Sequence, residues 1–355
     1  MRELNIDLDL LKQNLSYVKS KANLPVLAVV KADAYGHGLI PCAKAAIEGG
    51  ADYLGVALLE EAISLREAGV TAPLLAWLLP PGEDYKKAVS LDIELGVSSL
   101  AAFDEINSIP GAKIHLEVES GMGRGGFLSE WPELLKRDLS RVVGIFTHFA
   151  RADEPDESQN QLQISNFEKF VSDLNKLGIK PIRHISNTAA TLSNSLNNNL
   201  TNYDMVRIGI AMYGYSPLER DENLKPIMTL RSKLVLVKDM PAGHPIGYGA
   251  TEVTKSDTKI GIVGLGYADG IPRNARGAGV TFQGKRAPII GRVSMDQFAV
   301  DLGSDSQAKS GDWVTVFGEQ YSVYDWAAAS QTITYEITTR IGGRITRTYK
   351  HLRHL

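Results

Sequence analysis

The chain has a single cysteine, Cys42, among 355 residues. A lone thiol excludes an internal disulfide and a cysteine-based zinc site, and it suits a reducing compartment. Neither sign of charge dominates: the net charge of −3 is too small to draw in nucleic acid or an anionic membrane. No uninterrupted apolar run approaches bilayer-spanning length. The N-terminal "MRELNIDLDL" carries acids in its first turns and lacks an apolar stretch, so no signal peptide is expected there. These absences predict a cytoplasmic protein with no membrane, nucleic-acid or metal partner. The one pronounced basic run, "RITRTYKHLRHL" at the C-terminus, reads as a solvated tail.

Apolar residues make up 44% of the chain and charged residues 22%, ordinary proportions for a globular protein. The length exceeds one usual domain, which predicts a large barrel or sandwich plus a second module. From residue 26 to about 210, short β-branched runs alternate with helical patterns. The strand candidates are 26–30, 53–57, 74–78, 93–97, 114–118, 142–146, 181–185 and 205–209. Helical spacing follows in segments such as "LEEAISLREAG" and "ISNFEKFVSDLNKLG". Eight strands that each return through a helix-length segment predict an α/β protein with a (β/α)8 TIM-type barrel. After about residue 222 the pattern changes to strands with Gly-rich turns, and only "VYDWAAAS" looks helical. The expected domains are therefore a barrel over 1–222 and a mainly β domain over 223–355, with the first few residues free to pair with the latter. The polar stretch "RADEPDESQNQ" (151–161) reads as a surface loop.

The stretch "LPVLAVVKADAYGHG" ends a buried strand on a lysine, Lys31. Barrel enzymes carry their chemistry where strands end, and phosphate binds after strands seven and eight. The fifth strand ends at "EVESGMGRGG", the sixth at His148, the seventh at Ser186, Asn187 and Thr188, and the eighth carries Arg207 before Gly209 and Ile210. An amine opposite a phosphate-binding end matches pyridoxal 5'-phosphate (PLP), whose aldehyde condenses with lysine. Gly121, Gly123 and Gly126 also spell G-x-G-x-x-G, the dinucleotide fingerprint. No acidic residue follows about 20 residues downstream, so that reading is rejected.

"VVKADAYGHG", "HISNTAATL", "DMVRIGIAMYG", "IGYGAT", "GLGYADG" and "GRVSMDQ" occur in the order found in bacterial alanine racemases, and the chain resembles that family along nearly its whole length. The resemblance implies a PLP-dependent homodimer that interconverts L- and D-alanine, supplying D-alanine for peptidoglycan. It implies that Lys31 holds the cofactor and is one of two bases acting on the α-proton. The second base would be Tyr248, in the β domain, reaching the barrel of the other subunit. Arg207 would face the pyridine nitrogen and, because a guanidinium keeps its proton, leave that nitrogen unprotonated. His148 would lie between Arg207 and the partner's tyrosine. Tyr35, Asn187, Thr188 and the amides of Gly209 and Ile210 would hold the cofactor and its phosphate. Arg124 would bind the substrate carboxylate, and Tyr267 and Met295 would line the pocket from the other subunit.

The chain departs from the family at several positions. The motif "K-x-D-T-G-M-x-R-L-G" stands here as "EVESGMGRGG", with Glu117 at a lysine that can be carbamylated and Gly125 at the leucine. The Glu117 carboxylate is expected to supply directly the negative charge that orients Arg124. Ser294 stands where some members have cysteine, and Thr188 where serine is common. Gly343 occupies a position that is tyrosine in some members, which leaves a broad-specificity or serine racemase as the alternative. Amino-acid decarboxylases of the same fold place an acid at the pyridine nitrogen and use a β-domain cysteine, and Arg207 and the lone Cys42 argue against them. A PLP-binding barrel without activity would leave the β domain unexplained.

Overall fold

Runs of Val, Leu and Ile without alternating polar residues suit strands covered on both faces. The computed structural model describes residues 1–154, 158–193, 196, 203–318 and 321–350. After β1 (Arg2–Asp7) come β2 (Val26–Val29), β3 (Tyr53–Val56), β4 (Leu74–Ala76), β5 (Glu94–Val97), β6 (Ile114–Glu117), β7 (Val142–Phe146), β8 (Ile182–His184) and β9 (Val206–Ile208). The last eight are the strands expected from the sequence. They pair in the order β8-β7-β6-β5-β4-β3-β2-β9, and the ladders are parallel. Between β8 and β9 the sheet is joined by Asp204 N–H to Arg183 O and Arg207 N–H to Ser186 O, both 3.0 Å. The result is a nearly closed barrel, with β2, β4, β5 and β9 buried throughout.

Large side chains enter this barrel where glycines make room. A Cβ on Gly55 of β3 or Gly96 of β5 would collide with Trp77, which follows β4. A Cβ on Gly144 of β7 would overlap the His115 ring of β6. Glycine inside a strand is the usual mark of such close approach.

The chain divides into two compact units: Leu10–Ala34 with Gly38–Lys225, and Met1–Asp9 with Tyr35–His37 and Pro226–Leu355. The second unit is built on β10 (Met228–Met240), which pairs antiparallel with β1, with Thr258–Val263 and with Trp313–Phe317. The basic C-terminal run departs from expectation. Thr346–Lys350 is a strand, parallel to β1, rather than a solvated tail; residues 351–355 lie outside the described residues. The backbone groups of β1 supply partners that charge alone does not reveal. A second helix, Thr334–Thr339, follows the expected one at Val323–Ser330. Its β-branched threonines hide it from propensity. Of the polar stretch 151–161, residues 155–157 lie outside the described residues and Ser158 opens a helix to Lys176. Among the described residues no helix is long and apolar enough to cross a membrane.

Candidate active site

Lys31 leaves the barrel at the C-terminal end of β2 and is followed by an unusual turn. Ala32, Asp33, Ala34 and Tyr35 have φ of 54°, 54°, 54° and 55°, with ψ between 44° and 54° for the first three. This is a left-handed helical turn made without glycine, at a cost of about 1–2 kcal/mol per residue. Side chains hold it: Glu61 Oε1 accepts from Ala32 N–H at 2.6 Å, and Asp33 Oδ1 accepts from Leu39 N–H at 2.8 Å. Ala34 N–H still reaches Val30 O at 2.8 Å. Strain concentrated beside one lysine is typical of a functional position. Burial, with Arg124 and Arg207 nearby, pushes the Lys31 amine below its usual value, while Glu61 opposes the shift. Its Nζ lies 5.8 Å from the centre of the Trp77 ring.

Arg207, on β9, is buried and most of its guanidinium is committed. Nη1 donates to His184 O at 2.5 Å and to His184 Nδ1 at 3.2 Å. Nη2 donates to Thr147 O at 2.7 Å, His148 Nδ1 at 3.2 Å and Ile185 O at 3.3 Å. Among the described residues only Nε–H has no partner. Burial pushes the Arg207 pKa down to about 10, with Glu117 opposing, so it stays charged at neutral pH. Arginine only donates, so His148 and His184 must each present an unprotonated Nδ1 to it. Burial and the nearby Arg207, Arg124 and Lys31 charges push His148 down to about 3. His184 is lowered by burial, Arg207 and His115.

Arg124 sits in the loop after β6, and Glu119 shapes that loop. Its carboxylate accepts from the N–H groups of Gly121, Met122, Gly123 and Arg124 at 2.5, 2.6, 2.8 and 3.2 Å. The glycine-rich turn that mimics a dinucleotide fingerprint is thus an anion nest filled by the chain's own carboxylate. Burial raises the Glu117 pKa, while Arg124 and Arg207 oppose the rise. A Cβ on Gly125 would stand 3.5 Å from Glu117 Oε2, so the glycine keeps a leucine-sized side chain away from this carboxylate.

At the same barrel end, after β8 and β9, the buried Thr188 hydroxyl accepts from Gly209 N–H at 3.0 Å. Ile210 opens the short 3-10 helix Ile210–Tyr213, so its N–H has no carbonyl within that helix. Asn187 caps the helix Thr188–Leu192, its side chain accepting from Ala190 N–H at 3.0 Å. Three cationic side chains, a free guanidinium N–H, the Thr188 hydroxyl and the Ile210 N–H therefore share one barrel end. An anionic ligand bearing a phosphate, a carboxylate and an aromatic nitrogen acceptor fits this donor set, and PLP with an amino acid is such a ligand.

The other predicted residues belong to the β unit. The Tyr35 ring lies 6.0 Å from that of Tyr335. Tyr248 and Met295 are largely exposed and Tyr267 partly so, at 69%, 54% and 40%. Tyr267 N–H donates to Ser294 O at 3.1 Å, and Ala268 N–H to Met295 O at 3.0 Å, so these two lining residues are neighbours. The Arg344 guanidinium ties this pair of loops together, bonding Asp269 at 3.1 Å and Asp296 at 2.7 Å. At Gly343, with φ +62°, an added Cβ would meet nothing within 4 Å.

Sequence reasoning missed Trp77, Glu94, His115, Glu119 and the left-handed turn. The first and third were signalled by the strand glycines Gly55, Gly96 and Gly144.

The family model "Alanine racemase, N-terminal domain" matches residues 6–217, and "Alanine racemase, C-terminal domain" matches residues 227–349. The alanine racemase of Salinispora tropica is 42% identical, with 98% of each chain covered. That of Mycobacterium tuberculosis is 37% identical, covering 99% of this chain and 96% of the relative. The crystal structure of alanine racemase from D-cycloserine producing Streptomyces lavendulae superposes with a TM-score of 0.92 at 41% identity, over 98% of this chain and 96% of that one. The Bacillus anthracis alanine racemase with bound L-Ala-P gives a TM-score of 0.86 at 37% identity, over 98% and 94%.

Proposed function

The chain belongs to the alanine racemase family, and on that footing we propose that Lys31 and Tyr248 are the two bases that invert the α-carbon of alanine. The protein is a PLP-dependent amino-acid racemase, an isomerase acting on alanine. PLP supplies the electron sink that acidifies the α-proton. Lys31 Nζ takes or returns that proton on one side of the α-carbon, and its lowered pKa suits a base at neutral pH. Tyr248 Oη does so on the other side, donated by the partner subunit of a homodimer. Arg207 Nε–H would be the donor available to the ring nitrogen of the cofactor, and a guanidinium keeps its proton. His148 lies between Arg207 and the partner's tyrosine. Tyr35, Asn187, Thr188, Gly209 and Ile210 would hold the cofactor and its phosphate. Arg124 takes the substrate carboxylate, and Tyr267 and Met295 wall the pocket of the partner. The product D-alanine suits cytoplasmic supply of cell-wall synthesis.

The observation that carries this reading is the convergence of Lys31, Arg124, His148 and Arg207 at one barrel end, with one guanidinium N–H left over. Mixing two inactive variants tests it. Lys31→Ala and Tyr248→Phe, unfolded and refolded together, create heterodimers in which one of two shared sites is intact. Recovery of about one quarter of wild-type racemisation is expected from random pairing of a symmetric dimer. No recovery would mean that both bases come from one chain. The open space at Gly343 favours testing serine beside alanine by α-proton exchange in deuterated water; equal kcat/KM for the two would identify the broad-specificity enzyme instead.

A further inference from the structure

Barrel interiors are normally filled by layers of Val, Ile and Leu. Here a column of polar side chains runs through the barrel instead. Glu94 opens β5 at the face opposite the active site, with Lys113 Nζ 4.0 Å from its Oε1. Its Oε2 lies 2.8 Å from His115 Nε2. His115 Nδ1 lies 2.9 Å from His184 Nε2. His184 Nδ1 lies 3.2 Å from Arg207 Nη1. Glu94 is 6% exposed, Arg207 7%, and both histidines are wholly buried.

The direction of every hydrogen bond along this column follows from its two ends. Arg207 can only donate, so His184 Nδ1 accepts and its proton sits on Nε2. That proton points at His115 Nδ1, which must accept, leaving the second ring's proton on Nε2. An ionised Glu94 can only accept it. The donor-only end and the acceptor-only end therefore demand the same pair of tautomers. Reversing His184 would aim an imidazole N–H at a guanidinium N–H, and reversing His115 would set two imidazole N–H groups against each other and a ring lone pair against the carboxylate. The glycine at 144 is what admits the His115 ring to this column. Burying such groups costs free energy that an apolar layer would not.

We infer that Glu94 and His115 are positioning residues for the reaction: they lock the His184 ring as acceptor of Arg207 and so fix the guanidinium whose Nε–H serves the cofactor ring. The inference rests on the reading of Arg207 given above. Glu94 anchors the far end of the two rings and so fixes their direction, while the carboxylate whose charge acts on Arg207 is Glu117.

Ring-nitrogen NMR of the 15N-histidine-labelled holoenzyme, the absorbance maximum of the bound cofactor, and kcat and KM for alanine together test this. Wild-type His115 and His184 should both be Nε2–H tautomers. Glu94→Leu should populate the reversed tautomer of His115, shift the cofactor absorbance and lower kcat about tenfold with KM little changed. Glu94→Gln, which retains an acceptor oxygen, should restore all three. His115→Phe keeps the ring volume and should reproduce the loss, which covers the case in which Glu94→Leu does not fold. Folded Glu94→Leu or His115→Phe protein with wild-type kcat and absorbance overturns the proposal, whatever the tautomers. Arg207→Lys separates the two readings. Unchanged absorbance and kcat in that variant overturn the role of Arg207 itself. A changed Arg207→Lys beside unchanged Glu94 and His115 variants overturns the relay alone.

Discussion

Glu119 holds Arg124 by its backbone: the carboxylate accepts the Arg124 N–H at 3.2 Å as the last of four amides in one turn. A carboxamide at this position has one acceptor atom, and its NH2 group would face N–H donors. Glu119→Gln should therefore cost about 0.5–1.5 kcal/mol, the usual net worth of a hydrogen bond where water can reach the donors. The loop 120–126 should exchange its amide hydrogens faster, and KM for alanine should rise more than kcat falls.

Glu117 tests a different contribution to the same arginine. Its carboxylate is partly buried and under the influence of Arg124 and Arg207. Glu117→Gln removes the charge and keeps the shape, so KM for alanine should rise about threefold to tenfold, equivalent to ~1 kcal/mol of lost interaction. Unchanged KM and kcat would leave Glu117 without a role in substrate binding.

Gly144→Ala should be among the most damaging single-methyl additions. Its Cβ would overlap the His115 ring, which Glu94 and His184 hold on both sides. Overpacking of about 1–3 kcal/mol is expected, read as a lower urea midpoint.

Ala32 is exposed and sits at φ 54°. Ala32→Gly removes the left-handed penalty but loosens the unfolded chain, for a net gain of about 0.5–1 kcal/mol. Ala32→Val should lose about 2 kcal/mol or more. Thermal midpoints of opposite sign would establish that the turn is strained; a loss in both variants would contradict it.

His148 gives the fold a defined response to acid. Its folded pKa is lowered from 6.5 to about 3. Between those values the unfolded chain binds a proton that the folded chain refuses, so stability rises with pH. Acidification below pH 6.5 should cost up to about 1.4 kcal/mol per pH unit for this group, and the lowered His184 acts with the same sign. Urea midpoints measured from pH 7 to 4 should fall less steeply in His148→Asn.

Much of this molecule was legible because the barrel strands are doubly buried. Their apolar runs end where polarity resumes, and those ends drew attention to Lys31 and His148, whereas Arg207, inside β9, and Glu117 stood out through the family resemblance. The interior column was not legible for the same reason. His115 within "IHLEV" and Glu94 within "IELGV" look like single polar interruptions, and only three-dimensional closure sets them in line with His184. Trp77 in "LLAWL" reads as core. The left-handed turn carries no glycine at its strained positions, so no local signal announces it. The strand Thr346–Lys350 owes its existence to a partner at the opposite end of the chain.

That last pairing has a consequence for synthesis. β1 lies between β10 and Thr346–Lys350, with Ile6 opposite Met228 and Glu3 opposite Thr346. β1 precedes the barrel in the chain, yet it finds its neighbours only after the barrel has been translated, one at Met228–Met240 and one at Thr346–Lys350. Until then its unpaired edge depends on chaperones or on its own acids and arginine to stay out of other sheets.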